Sequence, residues 1–207
     1  TKLGSGVGLL GYYMYHGGSN PDSKLSTLQE SRAIGYANEL PEINYDFNAP
    51  IRQYGTISDN YREIRLLAYF LQDFGADLAV LPADIDPDFV KPGDTHTLRV
   101  SVRHDDTHGY VFVNNYQRRL TMDDHKDVVL EGKTAGAPVV FPATDIESGE
   151  YAFYPYNMKL KNAVLVSALA TPLCKLSCKD EDVYVFYGDK DPQFTWDGTP
   201  AKVMHLS

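Results

Sequence analysis

Cysteine is scarce, with two in 207 residues. Cys174 and Cys178 are too few to close a structural zinc site, and no histidine lies near them in sequence. The plainer reading is two ordinary thiols. A local disulfide, or a metal site with distant ligands, stays open. Basic charge is also scarce, 19 Lys+Arg against 28 Asp+Glu, for a net charge of -9. An acidic chain with no basic run argues against nucleic acid and anionic membrane surfaces as partners. No apolar window reaches the length of a membrane span. The N-terminus shows no basic start, apolar core and cleavage site, so no signal peptide is expected in this chain. Phosphate loops, dinucleotide fingerprints and GxSxG elbows are missing, and no cofactor is expected. No internal repeat or low-complexity segment is visible.

What is present is an ordinary apolar fraction, 43%, and an unusual number of aromatics: 15 Tyr, 9 Phe and one Trp. Exposed aromatic faces stack on the apolar faces of sugar rings. The same residues fill the core of a β-sandwich, which is the plainer reading.

The run from Val7 to Tyr15 is rich in Leu, Val and Tyr and is closed by Gly17-Gly18. It reads as a buried strand that stops abruptly. Such a strand, apolar on both faces, is unstable without neighbours, so a larger parent chain or a partner chain is expected to supply them. From Gly17 to Ile57 there is no strong periodicity. A weak helix is expected over Ser26 to Asn38, and a short extended piece over Ile43 to Phe47. A firm helix follows from Asn60 to Phe74, with Asn60 and Glu63 as a capping box. Tyr61, Ile64, Leu67, Ala68, Leu71 and Phe74 share one face, widened by Leu66 and Phe70, and Gly75 reads as its stop. Strand, long loop and helix outline one unit of an α/β fold. In such folds the loop leaving the strand's carboxyl end builds the functional site.

From Leu78 to Gly93 prolines, glycines and acids indicate an extended connector. Beyond Thr95 the period becomes two. Strands are expected over Thr97–His104, Tyr110–Asn114, Arg118–Met122, Asp127–Leu130, Pro138–Phe141, Glu150–Tyr154, Ala163–Leu169, Val183–Tyr187, Phe194–Trp196 and Lys202–Leu206. This spacing predicts an antiparallel sandwich or barrel-like domain. The expected organisation is therefore 1–76 as an α/β piece, 77–94 as a linker and 95–207 as an antiparallel β-domain.

Tyr13-Met14-Tyr15-His16-Gly17-Gly18-Ser19-Asn20 resembles the YMFHGGTN segment of the family 35 glycoside hydrolases, the β-galactosidases. Tyr45-Asp46-Phe47-Asn48-Ala49-Pro50 resembles that family's YDYDAP segment at similar spacing. The helix from Tyr61 to Phe74 sits where the family's last barrel helix sits. The resemblance covers residues 1–75 well. The stretches Gly109 to Arg118 and Ala170 to Cys174 are similar to the β-rich region after the barrel. Ser19 stands for Thr, Phe47 for Tyr and Asn48 for Asp.

The resemblance implies the last strand, loop and helix of a (β/α)8 TIM barrel, followed by a β-domain. It implies a retaining enzyme that acts on terminal β-galactosides, with a galactoside or oligosaccharide as substrate. Export to the periplasm or cell surface is common among bacterial members. Such hydrolysis needs two carboxyl groups about 5 Å apart. The family carries its glutamates on earlier barrel strands, before residue 1 here, so no residue of this chain is assigned as catalytic. Glu30, Glu39 and Glu42 read as solvated loop acids. The resemblance assigns Tyr13 to the galactose pocket, and Tyr45 less directly. A core role for Tyr13 stands beside that reading. His16 orients the loop, and Gly17-Gly18 permits a tight backbone path. Asp105-Asp106-Thr107-His108 reads as a turn rather than a metal corner. Asp189-Lys190-Asp191 reads as a hairpin turn, since the further ligands of a calcium loop are missing. The alternative function is a noncatalytic carbohydrate-binding or structural β-protein.

Overall fold

The computed structural model describes residues 2–20, 44–85, 90–179, 181–199 and 202–206. The expected helix over Ser26 to Asn38 and the acids Glu30, Glu39 and Glu42 lie outside the described residues. The chain divides into two compact units, residues 9–68 and residues 1–8 with 69–207. The division falls within the one described helix, α1 (Asp59–Val80).

The second unit is built on a six-stranded sheet. In chain order its strands are β3 (Ala83–Ile85), β4 (Arg99–His104), β5 (Gly109–Asn114), β10 (Tyr151–Lys159), β11 (Val164–Ala168) and β14 (Phe194–Asp197). Their spatial order is β14-β11-β10-β5-β4-β3, and every pairing between named strands is antiparallel. Three two-stranded ladders accompany the sheet. They join β6 (His125–Val128) to β9 (Thr144–Ile146), β7 (Glu131–Gly132) to β8 (Val139–Val140), and β12 (Thr171–Cys178) to β13 (Glu181–Tyr187). The chain is thus mostly antiparallel β-sheet with a single described helix.

β5 explains why the sheet has two buried faces. Its sequence, GYVFVN, is apolar at nearly every position, as expected of a strand covered on both sides. Val111 and Val113 join Val102, Leu130, Phe141, Ile146 and Tyr156 in one core. Tyr110 and Phe112 point the other way, because successive side chains alternate. There Phe70 of α1 packs on Tyr110, ring centroids 5.6 Å apart, and on Phe153 at 4.5 Å. Phe70 is fully buried, and Phe74 and Leu78 continue its stripe.

That stripe corrects the predicted helix end. Gly75 is interior, and α1 runs to Val80, because Phe70, Phe74 and Leu78 recur at the four-residue spacing of one helical face. The start differs too. Helix geometry begins at Asp59, so Ser58 rather than Asn60 precedes the first turn, and Asp59 bonds Arg62 at 2.7 Å. Beyond α1, Arg103 gathers the backbone. Only 2% exposed, it donates to Leu81 O through Nε (2.9 Å) and Nη2 (2.7 Å) and to Leu3 O at 3.2 Å. A cation is favoured where the last carbonyls of a helix point.

Several expected strands differ. The Val7–Tyr15 strand does not form, and Leu9 is 90% exposed. A strand needs a hydrogen-bonding neighbour along its length, and here one is described only at the end, where Ile51 N donates to Tyr15 O. Arg118–Met122 is a turn, with Leu120 N donating to Gln117 O (3.1 Å) and Arg119 left-handed. Residues 202–206 form no strand. The connector expected from Leu78 to Gly93 contains the end of α1 and all of β3. β10 continues past Pro155 to Lys159, because Gly109 pairs with Tyr156 on one side and Leu165 with Met158 on the other. β12 was not anticipated, since Pro172 weakens the pattern. A register shift between Pro172 and Cys174 accommodates it.

Candidate functional site

The two segments that carry the family resemblance come together in the unit of residues 9–68. β1 (Gly18–Ser19) pairs antiparallel with β2 (Asn44–Tyr45), Gly18 opposite Tyr45 and Ser19 opposite Asn44. Before β1, Ile51 bridges the chain: Gly17 N donates to Ile51 O (2.7 Å) and Ile51 N to Tyr15 O (3.0 Å). The YMYHGGSN segment is therefore flanked by residues on both sides of Tyr45–Pro50.

Gly17 is required by close approach. It is buried, and a Cβ there would overlap the Asp46 carboxylate. Asp46 Oδ1 in turn accepts from Gln53 N at 2.5 Å, and Asp46 N donates to Asn44 Oδ1 at 3.1 Å. Gln53 links the two strands, donating from Nε2 to Ser19 Oγ and accepting from Asn44 Nδ2. Arg52 donates to Asn48 Oδ1 (3.2 Å) and stands 3.9 Å from Asp46 Oδ2. The turn Arg52–Thr56 closes through Arg52 N to Thr56 O (2.8 Å), with Gly55 in the left-handed region at φ 83°. Ser58 Oγ reaches back to Pro50 O at 3.2 Å, anchoring the segment at the start of α1.

The backbone here is strained. Met14, Phe47 and Asn48 have φ of 64°, 45° and 56°. Such conformations cost on the order of 1–3 kcal/mol each and gather at binding and catalytic sites. Asn tolerates the left-handed region because its short amide bonds locally, whereas Phe and Met do so at higher cost.

Aromatic rings surround the polar links. Tyr45 meets Phe47 edge-on at 4.5 Å, and Tyr15 lies 5.7 Å from Tyr12 and 6.5 Å from Tyr61. Partial burial, then the neighbouring Tyr15, raises the Tyr12 hydroxyl above its ordinary pKa. Tyr13 is 87% exposed, and Tyr54 is nearly as open. Tyr13 is thus a free surface ring, outside any strand. Tyr45 sits half-buried in β2.

The chemistry on offer is that of polyol recognition. Hydroxyl, amide, guanidinium and carboxylate groups lie beside open aromatic faces. Among the described residues of this cluster Asp46 is the single carboxylate, whereas glycoside hydrolysis needs two carboxyl groups. Among the described residues no group of three His, Cys, Asp or Glu is placed to hold a metal ion. Asn44, Arg52 and Gln53 were not singled out from sequence. They are polar residues in an aperiodic stretch, and only the fold shows that they link the segments.

The other sequence candidates have structural explanations. Asp105 organises its own turn, accepting from Thr107 Oγ1 (2.7 Å), Thr107 N and His108 N. The Thr107 hydroxyl is the main reason its carboxyl is held well below the ordinary range. His108 extends from that turn to Asp77 of α1 at 2.8 Å. Cys174 and Cys178 are both free. They stand four residues apart on one extended strand, too far for a disulfide. Burial, and then Asp73, pushes the Cys174 thiol upward.

No protein-family model matches the chain, and no curated protein matches it. Among the described residues, no helix is long and apolar enough to cross a membrane.

Proposed function

We propose that this chain is the sugar-lining C-terminal portion of a retaining β-galactosidase-like glycoside hydrolase. Tyr13 and Tyr45 contact a terminal β-galactoside in this reading. One observation carries it: two segments, distant in sequence, that each resemble a β-galactosidase motif are hydrogen-bonded to one another, with Asp46 seated against Gly17. The strained Met14, Phe47 and Asn48 backbone adds support.

In the parent enzyme, two glutamates from a preceding barrel segment or partner chain perform double displacement at the anomeric carbon. This chain supplies the last barrel unit and a β-domain. Its own residues orient the sugar. Tyr13 offers an open ring and a hydroxyl, and the Ser19–Gln53–Asn44 link fixes the loop that presents them.

The test combines turnover and binding on the full chain. The expected result is no hydrolysis of a chromogenic β-galactoside, with weak saturable binding of methyl β-D-galactoside. Tyr13→Ala and Tyr45→Ala are expected to weaken that binding about tenfold, the effect of about 1.4 kcal/mol. Turnover by the isolated chain, or binding indifferent to both tyrosines, contradicts the proposal.

A noncatalytic carbohydrate-binding β-protein is the second reading. It is favoured by the predominance of antiparallel sheet. Sugar retention that survives Tyr13→Ala selects it.

A further inference from the structure

The sheet-bearing unit holds a separate cavity of about 380 Å³. Leu169 and the Tyr154 ring, both packed into the core cluster, form apolar lining. Asp127, Thr144, Asp145 and Glu147 come from the β6–β9 ladder and its margin, and Lys190, Asp191 and Gln193 from the segment before β14.

Part of this lining is engaged. Lys190 donates to Glu150 Oε2 (2.8 Å) and Asp145 O (2.6 Å), and Lys126 holds Asp145 Oδ2 at 2.9 Å. These bonds fix the walls. So does Asn115, fully buried, which donates to Glu147 O (3.0 Å) and Asp123 O (2.8 Å). The Tyr154 hydroxyl, the Asp127 and Asp191 carboxylates and the Gln193 amide are left without a hydrogen-bond partner among the described residues. Burial is the main reason the Tyr154 hydroxyl is pushed up to about 12, with Glu150 and Asp189 adding to it. It therefore keeps its proton and is available as a donor.

Free donors and acceptors of both kinds, over an apolar floor, match the alternating hydroxyls and C–H face of a sugar ring. Carboxylates accept from hydroxyls in the stronger, charge-assisted manner. The volume lies at the small end of ligand sites, the size class of a monosaccharide unit. Uncompensated Asp127 and Asp191 oppose an anionic ligand. We propose that this cavity is a second saccharide site, which takes a neutral monosaccharide unit and rejects uronic acids. It shares no residue with the Tyr13–Tyr45 cluster and does not depend on it.

The test is an amide-resolved NMR titration of the isotope-labelled full chain with methyl β-D-glucoside, methyl β-D-galactoside and sodium galacturonate. Saturable shifts at Thr144, Asp145, Asp191 and Gln193 are expected with at least one neutral glycoside, at a Kd on the order of 1 mM. Galacturonate is expected to bind about tenfold more weakly, from like-charge juxtaposition. Tyr154→Phe, which keeps the ring, is expected to weaken the neutral sugar about three- to tenfold through one lost hydrogen bond. Asp127→Asn with Asp191→Asn, both on the surface, is expected to reduce the discrimination against galacturonate, with Glu147 left in the lining. No saturable shift at these amides with either neutral sugar up to about 100 mM, or equal binding of galacturonate to the unaltered chain, overturns the proposal. Shifts confined to residues 17–20 and 44–53 overturn it too, while supporting the motif site.

Discussion

The two units solve the problem of order differently. The sheet-bearing unit buries side chains: Phe70, Val111, Tyr156 and Leu165 have no exposed surface. The motif-bearing unit is held by polar links between two-residue strands, and it leaves Leu9, Tyr13 and Tyr54 open to solvent. Stability in the first comes from apolar burial, which scales with area. In the second, hydrogen bonds fix geometry with little net gain, about 0.5–1.5 kcal/mol each. Substitutions should therefore separate the units, moving stability in one and binding in the other.

The largest effect is expected for Phe70→Ala. It removes a fully buried ring packed on Phe74, Tyr110 and Phe153. Thermal or denaturant unfolding should show a loss of about 3–5 kcal/mol. Arg103→Met comes next. It leaves the Leu81 and Leu3 carbonyls without their donor, and a loss of about 2–3 kcal/mol is expected by the same measurement.

Alkaline pH should act on the sheet-bearing unit. Burial raises the Tyr154 hydroxyl from 10.0 to about 12. The unfolded chain loses that proton first, so the native state binds more protons in this window and stability falls as pH rises. The contribution is complete below pH 10.0 and gone above about 12. It amounts to on the order of 2 kcal/mol. Tyr154→Phe should make this part of the pH profile less steep without flattening it, because burial raises the Tyr110 and Tyr156 hydroxyls as well.

Gly75→Ala should stabilise. Gly75 lies inside α1, and an added Cβ meets Leu71 at an ordinary 3.6 Å. Removing a flexible residue from a helix interior is worth about 0.5–1 kcal/mol. At the other end of the scale, Tyr13→Ala should change stability by less than about 0.5 kcal/mol. An unfolding transition shifted as far by Tyr13→Ala as by Phe70→Ala would erase the distinction between the units.

Much of the sheet was legible in sequence. The strands expected over Thr97–His104 and Ala163–Leu169 form as Arg99–His104 and Val164–Ala168, and both pair antiparallel. The helix was legible through its stripe, but its end was not. Gly75 carries a stop signal that Phe74 and Leu78 override by packing. Pro155 and Pro172 hid strand length, because a ladder tolerates a missing N–H when neighbouring pairs hold. The Val7–Tyr15 run shows the opposite limit. Its composition favours a strand, but pairing is a property of neighbours, which local sequence does not contain. At the candidate site the two motif segments stood out by resemblance, but Gln53 and Arg52 did not. The β6–β9 cavity draws on residues scattered from Asp127 to Gln193, a constellation without spacing or motif.

One measurement bears most directly on the motif cluster: the galactoside titration of the full chain, read at the amides of Gly17–Asn20 and Asn44–Gln53 in native and Tyr13→Ala proteins. Saturable shifts are expected at both segments together, weakened about tenfold in Tyr13→Ala with the unfolding transition unchanged. Both segments remaining silent at saturating galactoside, or responding identically in the two proteins, would contradict it.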